Sequence, residues 1–201
     1  MKNYALELVF ILDESGSMYN LTSDTIGGFN SMLDKQKAKY ENVLLTTVFF
    51  NDDSKIVHDR IPISEAAHLT GEDYTPCGCT ALLDAIGKTI AHISHIHKYI
   101  RQEDVPEKTL FVITTDGQEN ASYQYTFPEI RKMIEEKKSV FGWDFSFLGA
   151  NIDAFAVADD LGVDLLKTRS FVASSPGVAH MFCDCMELVD QEMIDEDELP
   201  F

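Results

Sequence analysis

Positive charge is what this chain has least of. Sixteen Lys and Arg stand against 34 Asp and Glu in 201 residues, a formal net charge of −18 at pH 7. Nonspecific binding to nucleic acid or to an anionic membrane needs basic patches, so neither is expected; the same imbalance draws cations toward any acidic cleft. Long apolar runs are missing too. None approaches membrane-spanning length, so no membrane insertion is expected. No secretory signal is visible: Lys2 precedes apolar residues, but Glu7 interrupts the run, which enters Asp13-Glu14 without a small-residue cleavage site. A cytoplasmic location is the expectation. Cysteine is sparse, with two Cys-x-Cys pairs, Cys77/Cys79 and Cys183/Cys185. In a reducing compartment these are free thiols, and a shared zinc site would lack the usual two-residue spacing. Asn20-Leu21-Thr22 and Asn120-Ala121-Ser122 fit glycosylation acceptors, which mean nothing without secretion. The chain has no Gly-x-Ser-x-Gly elbow, no glycine-rich phosphate loop with its Lys, no internal repeat and no low-complexity segment.

What remains is ordinary for a globular protein: 45% apolar and 25% charged residues. The length suits one domain, read here as 1–190, followed by an acidic tail at 191–201. Apolar runs at 5–12, 42–50, 109–114 and 143–148 read as buried strands, the last with Trp143, Phe145 and Phe147 on one face. The segment 55–63 alternates and follows a short turn, so it reads as an antiparallel edge strand with one wet face. A short strand is placed near 167–173. Helical spacing predicts helices at 25–40, 81–101, 128–138, 154–161 and from Ser175 on, with Gly27-Gly28 allowing close packing against the sheet. His92, His95 and His97 fall at a helix end; His92 and His95 share a metal-ligand spacing, but a solvated helix end explains them without a ligand. Strand–helix alternation defines the fold class: α/β, a doubly wound, mostly parallel, Rossmann-like sheet of about six strands with one antiparallel edge, flanked by helices.

The functional signal lies in the turns. Asp13-Glu14-Ser15-Gly16-Ser17 follows the first strand, and Gly16 permits backbone angles that other residues resist. Its carboxylate and hydroxyls are hard oxygen donors suited to Mg, Ca or Mn. The pentapeptide alone does not decide, because Asp, Ser and Gly are also ordinary turn formers and Ser caps helices. Two further turns add to it. Asp116 follows another buried strand, and Thr80 ends the loop leading into the long helix. In a parallel sheet all three turns fall at the carboxyl ends of the strands, where ligands bind. The set Asp13, Ser15, Ser17, Thr80 and Asp116 supplies two carboxylates to match a divalent ion and three neutral hydroxyls, a donor count that fits Mg2+ with a few waters, or Mn2+ or Ca2+.

DESGSM at 13–18, GCTALLDAI at 78–86 and TTDGQEN at 114–120 resemble, in order and spacing, the metal-ion-dependent adhesion site (MIDAS) of the von Willebrand factor A domain. The resemblance covers about 6–171 and is nearest to the small, free-standing bacterial members. It implies that Ser15, Ser17 and Thr80 ligate through hydroxyls, that Asp13 and Asp116 bind directly or through water, and that one position stays open for an acidic side chain of a protein partner. Many members carry Gly-Gly before the Thr, where this chain has Gly78-Cys79. That leaves a thiol, open to oxidation, beside the metal.

The expected function is therefore a non-enzymatic, divalent-metal-dependent protein-binding module whose unknown partner offers an Asp or Glu. Its rim is expected at Glu14, Met18, Tyr19, Asn51, Asp52, Tyr74, Glu119, Tyr123 and Asn151, which flank strand-end turns and are equally accounted for as plain loop residues. Two alternatives compete. One is a Mg-dependent phosphohydrolase with Asp13 as nucleophile, against which Ser15 stands where a second, proton-donating Asp is usual. The other is a scaffold with a structural metal.

Overall fold

Every residue of the first strand, β1 (Leu6–Asp13), is buried, and that burial on both faces sets the architecture. Leu6, Leu8, Phe10 and Leu12 enter one apolar cluster, and Val9 and Ile11 enter another. A strand apolar on both faces must be covered on both. In the computed structural model, which describes residues 4–193, it is flanked by β2 (Val43–Phe50) and β4 (Lys108–Thr115), which are buried almost throughout as well. The sheet is completed by β3 (Ser54–Pro62), β5 (Asp144–Ala150) and β6 (Thr168–Phe171) in the order β3-β2-β1-β4-β5-β6. All neighbours pair in parallel except β2 and β3, which form an antiparallel edge. One face is covered by α1 (Thr22–Lys39) and α5 (Ser175–Met193), the other by α2 (Leu82–Tyr99), α3 (Phe127–Phe141) and α4 (Ala154–Leu161). The chain moves outward from β1 to β2, then crosses to β4. The strand order therefore reverses between β1 and β4, and the crevice beyond their carboxyl ends is the fold's natural ligand position.

Local differences from the sequence reading have identifiable causes. A six-residue 3-10 segment, Gly16–Leu21, precedes α1, so the helix starts at Thr22 rather than at 25. The alternation in β3 fails because its register against β2 slips twice, once either side of the Thr47–His58 pair. His58 is buried, bonded to Thr47 Oγ1 at 3.0 Å and to the Ala67 carbonyl at 3.1 Å, while Ile56 is exposed. Beyond the slip, Arg60 takes a left-handed φ of 48° and its Nε meets Glu7 Oε1 at 2.7 Å. The far end of α2 is not uniformly solvated. His92 pairs with exposed Asp59, but His97 turns inward, with Nε2 2.6 Å from Glu7 Oε2. Glu7 is thus a fully buried carboxylate held between two basic side chains, as burial of a charge requires. Among the described residues no group of three or more His, Cys, Asp or Glu is placed to hold a metal. No described helix is long and apolar enough to cross a membrane. The stretch read as a tail begins inside α5, which runs to Met193; the remainder, 194–201, lies outside the described residues.

Gly27 and Gly28 separate into two roles. A Cβ at Gly28 would overlap the ring of Phe182 on α5, so the close packing is between helices rather than against the sheet. A Cβ at Gly27 would meet nothing within 4 Å. Adjacent substitutions should therefore have opposite signs. Gly27→Ala is expected to raise stability by about 0.5–1 kcal/mol through helix entropy. Gly28→Ala should lower it by about 1–2 kcal/mol net, because overpacking outweighs the same gain. Urea unfolding of both variants, with unchanged m-values, is the check.

Candidate metal centre

The reversal point between β1 and β4 brings together all five side chains of the sequence-derived set. Asp13 is the last residue of β1, and Asp116 directly follows Thr115, the last of β4. Asp13 Oδ1 accepts from the Ser15 amide at 2.7 Å, closing the turn on itself, and Asp13 Oδ2 accepts from Thr115 Oγ1 at 2.6 Å. Ser15 Oγ lies 3.0 Å from Ser17 Oγ, and Ser17 Oγ donates to Asp116 Oδ1 at 2.5 Å. Thr80 arrives from the third loop: a Cβ on Gly117 would lie 3.1 Å from Thr80 Oγ1 and 3.8 Å from Ser17 Oγ. A side chain at Gly117 would therefore crowd Thr80 Oγ1, which would have to give way by a few tenths of an ångström. Asp13, Ser15, Thr80 and Asp116 are buried, and Ser17 alone of the five is exposed, so the cluster reaches solvent on the Ser17 side.

The three loops are tied to one another by backbone bonds. The Gly16 amide donates to the Gly78 carbonyl at 3.1 Å, the Cys77 amide to the Glu14 carbonyl at 2.9 Å, and the Ala81 amide to the Asn51 carbonyl at 2.7 Å. Gly16 does not have a left-handed φ, contrary to the sequence reading. Gly16 matters for close approach, since a Cβ there would sit 3.3 Å from the Gly78 oxygen. The left-handed residue is Gly78, with φ 74°, where a Cβ would also overlap Asp52. The Cys79 thiol is exposed, and a hydrogen bond to Asp52 pushes its pKa up. The raised pKa lowers the thiolate fraction at neutral pH.

Residues outside the five-member donor set complete the site. Thr115 holds the second oxygen of Asp13. Asn120 clamps Thr80: its Oδ1 accepts from the Thr80 amide at 2.9 Å, and its own amide donates to the Thr80 carbonyl at 3.1 Å. Asp84, buried at the start of α2, accepts from the amides of Gln124 and Tyr125 at 2.9 and 3.0 Å and pins the loop after Asp116. The only sequence signal for the first two is their position, polar residues beside Asp116 in the same turn.

Three of the nine residues expected on the rim are not there. Tyr74 is fully buried beneath the turn, its hydroxyl donating to the Asp13 carbonyl at 2.6 Å and its ring edge-on to Phe49. Met18 faces the core from the 3-10 turn. Glu14 is buried, accepting from Lys55 Nζ at 2.9 Å and from the Thr75 amide at 2.6 Å. Glu119 is half-buried and occupied with loop structure, accepting from the amides of Leu83, Ala121 and Ser122. Tyr19 (71% exposed) and Tyr123 (79%) do face solvent, as do Asp52 and Asn151, with Asn51 half-buried between loops.

The electrostatics suit a cation. Burial pushes the Asp13 carboxyl above its ordinary range, against hydrogen bonds from Ser15 and Thr115, and nearby Asp116 adds to the rise. Burial likewise raises Asp116, opposed by Ser17. Two buried carboxylates, with no lysine or arginine bonded to them among the described residues and with hydroxyls around them, form a donor set for a hard divalent ion.

A raised native pKa stabilises the metal-free fold below the unfolded-state pKa, and that contribution is lost as pH rises through the native value. Metal-free protein should therefore lose thermal stability as pH rises from about 4 toward neutrality. At pH 7, Mg2+ at about 100 times its Kd should raise Tm by about 5–10 °C. Differential scanning calorimetry with and without EDTA reads both effects, and a Tm indifferent to Mg2+ at pH 7 contradicts the site. Thr115→Val, which frees one oxygen of Asp13, should weaken Mg2+ binding by about 10–100-fold in isothermal titration while leaving the fold intact.

Comparison of the sequence with models of known protein families and with curated proteins finds no match. Solved structures do match. The vWF domain of the type V pili tip protein Mfa5 from Porphyromonas gingivalis superposes with a TM-score of 0.64 at 11% identity, covering 99% of both chains. The PilB minor pilin from Streptococcus sanguinis gives 0.66 at 15% identity over 98% of this chain and 64% of that one. Proximal thread matrix protein 1 from the mussel byssus, in a form with a zinc-occupied MIDAS motif, gives 0.63 at 12% identity over 93% of this chain and 46% of that one. The chain thus spans less than two thirds of the pilin and under half of the byssus protein. At such identities the likeness concerns architecture, and with the strand order and strand-end loops described above it establishes that this chain has the von Willebrand factor A fold.

Proposed function

We propose that the chain is a divalent-cation-dependent protein-binding module. The observation that carries the reading is the convergence of Asp13, Ser15, Ser17, Thr80 and Asp116 from three separate strand-end loops onto one solvent-facing cluster. Ser15, Ser17 and Thr80 would hold the ion through their hydroxyls, and Asp13 and Asp116 would balance its charge. Hard, all-oxygen donors favour Mg2+, with Mn2+ or Ca2+ as substitutes, over the zinc seen in the byssus protein. The ion supplies the positive charge that makes this acidic edge attractive to a carboxylate. An Asp or Glu of the partner would enter on the Ser17 side, where the cluster meets solvent. Tyr19, exposed two residues from Ser17, and Tyr123, exposed on the segment between Asp116 and α3, are the side chains suited to anchor the surrounding contact.

The acidic chain offers no support for a nucleic-acid partner. The phosphohydrolase reading loses ground, because both oxygens of Asp13 accept hydrogen bonds and the residue two positions on is Ser15.

The test is capture from lysate of the native organism with tagged protein in Mg2+, in EDTA, and as Asp13→Ala. A partner retained only by the first, and displaced by free glutamate peptides in excess, is the expected result. A partner indifferent to metal and to Asp13 would move binding to another face and leave the ion a structural role.

A further inference from the structure

The sheet edge opposite the metal centre carries a cavity of about 430 Å³, within the size range of small-molecule sites. Its lining comes from the last turns of α2 and α3, the segment after α2, and the residue just before β5. Trp143, Phe141 and Val105 supply an apolar wall, and Lys98, Lys137 and His97 supply three basic groups. None of the described lining residues is acidic, in a chain whose acids outnumber its Lys and Arg by 34 to 16.

Of the three, the two lysines are only weakly engaged; the Lys98 ammonium lies 5.4 Å from the Tyr99 ring centre. Lys137 keeps its side chain only 13% exposed and its ammonium 4.7 Å from the Phe141 ring centre and 5.7 Å from that of Trp143. Its contact with Glu136 is long, 3.3 Å, and Glu136 is 54% exposed and outside the lining. His97 is committed to Glu7 and sets its ring edge-on to Trp143, which fixes that wall. Ser94, also in the lining, has a buried hydroxyl with no hydrogen-bond partner among the described residues. Phe141 is 58% exposed, apolar surface that an occupant would cover. The carbonyl ends of α2 and α3 each carry about half a negative charge, so the two lysines leave an excess of about one positive unit. That excess matches a single carboxylate, and the walls match one aromatic ring.

We propose that this cavity is a binding site for a small aromatic carboxylate, its ring against Phe141 and Trp143 and its acid group between Lys98 and Lys137. No lining residue belongs to the metal centre, so the site works without the ion.

The chain's single tryptophan makes the test direct, because Trp143 gives the one indole N–H signal in a proton–nitrogen spectrum. The probe is benzoate, titrated in EDTA so that no bound metal competes for its carboxylate. A saturable shift of the indole signal with a Kd of about 1 mM or tighter is expected. Neutral benzamide should bind at least about tenfold more weakly, as should Lys98→Met and Lys137→Met, with the rest of each spectrum unchanged. Lys98 is exposed, so its variant tests the charge even if Lys137→Met disturbs packing. No shift at about 20 mM benzoate, benzamide binding as well as benzoate, or wild-type affinity in the Lys98 variant would each overturn the proposal.

Discussion

Two carboxylates, Asp13 and Asp116, stand near one another at the end of a sheet in a protein that already carries a large excess of negative charge. Most of the local structure serves to hold them there. Tyr74 fixes the backbone of Asp13 from below, Thr115 and the Ser15 amide each take one of its oxygens, and Ser17 restrains Asp116. Asn120 and Asp84 lock the loops that deliver Thr80 and follow Asp116. Such an arrangement opposes stability in the absence of a cation, because desolvation and mutual repulsion both raise the cost of the ionised pair. A divalent ion removes both penalties at once, and its field then favours an incoming carboxylate that the bare acidic edge would repel.

What could be read from the sequence follows from what the sheet demands. β1, β2 and β4 are covered on both faces, so each leaves an unbroken apolar run, and their carboxyl ends could be placed without knowing any tertiary contact. That was enough to bring Asp13, Ser15, Ser17, Thr80 and Asp116 to one edge. The rim was less legible because loops carry no period. Nothing local distinguishes Tyr74, which folds under the turn, from Tyr123, which points out. Met18 and Glu14 were misplaced for the same reason: a 3-10 turn and an ion pair with Lys55 draw them inward. Likewise the register slips in β3 and the inward turn of His97 depend on the distant residues Thr47 and Glu7.

The two ends of the sheet divide the chemistry between them. The carboxyl end gathers oxygen donors and negative charge. The other end buries Glu7 between Arg60 and His97, and beside it gathers lysines and aromatic rings around Trp143. The two ends therefore differ in charge character and are separated by the length of the strands.

The most direct measurement is a crystal grown with Mn2+ and examined by anomalous scattering. One strong peak among Asp13, Ser15, Ser17, Thr80 and Asp116, at about 2.0–2.4 Å from the Ser15, Ser17 and Thr80 hydroxyl oxygens, is the predicted result. A peak elsewhere, or none at this edge with the loops in the same arrangement, would contradict the assignment of the five residues as a metal centre.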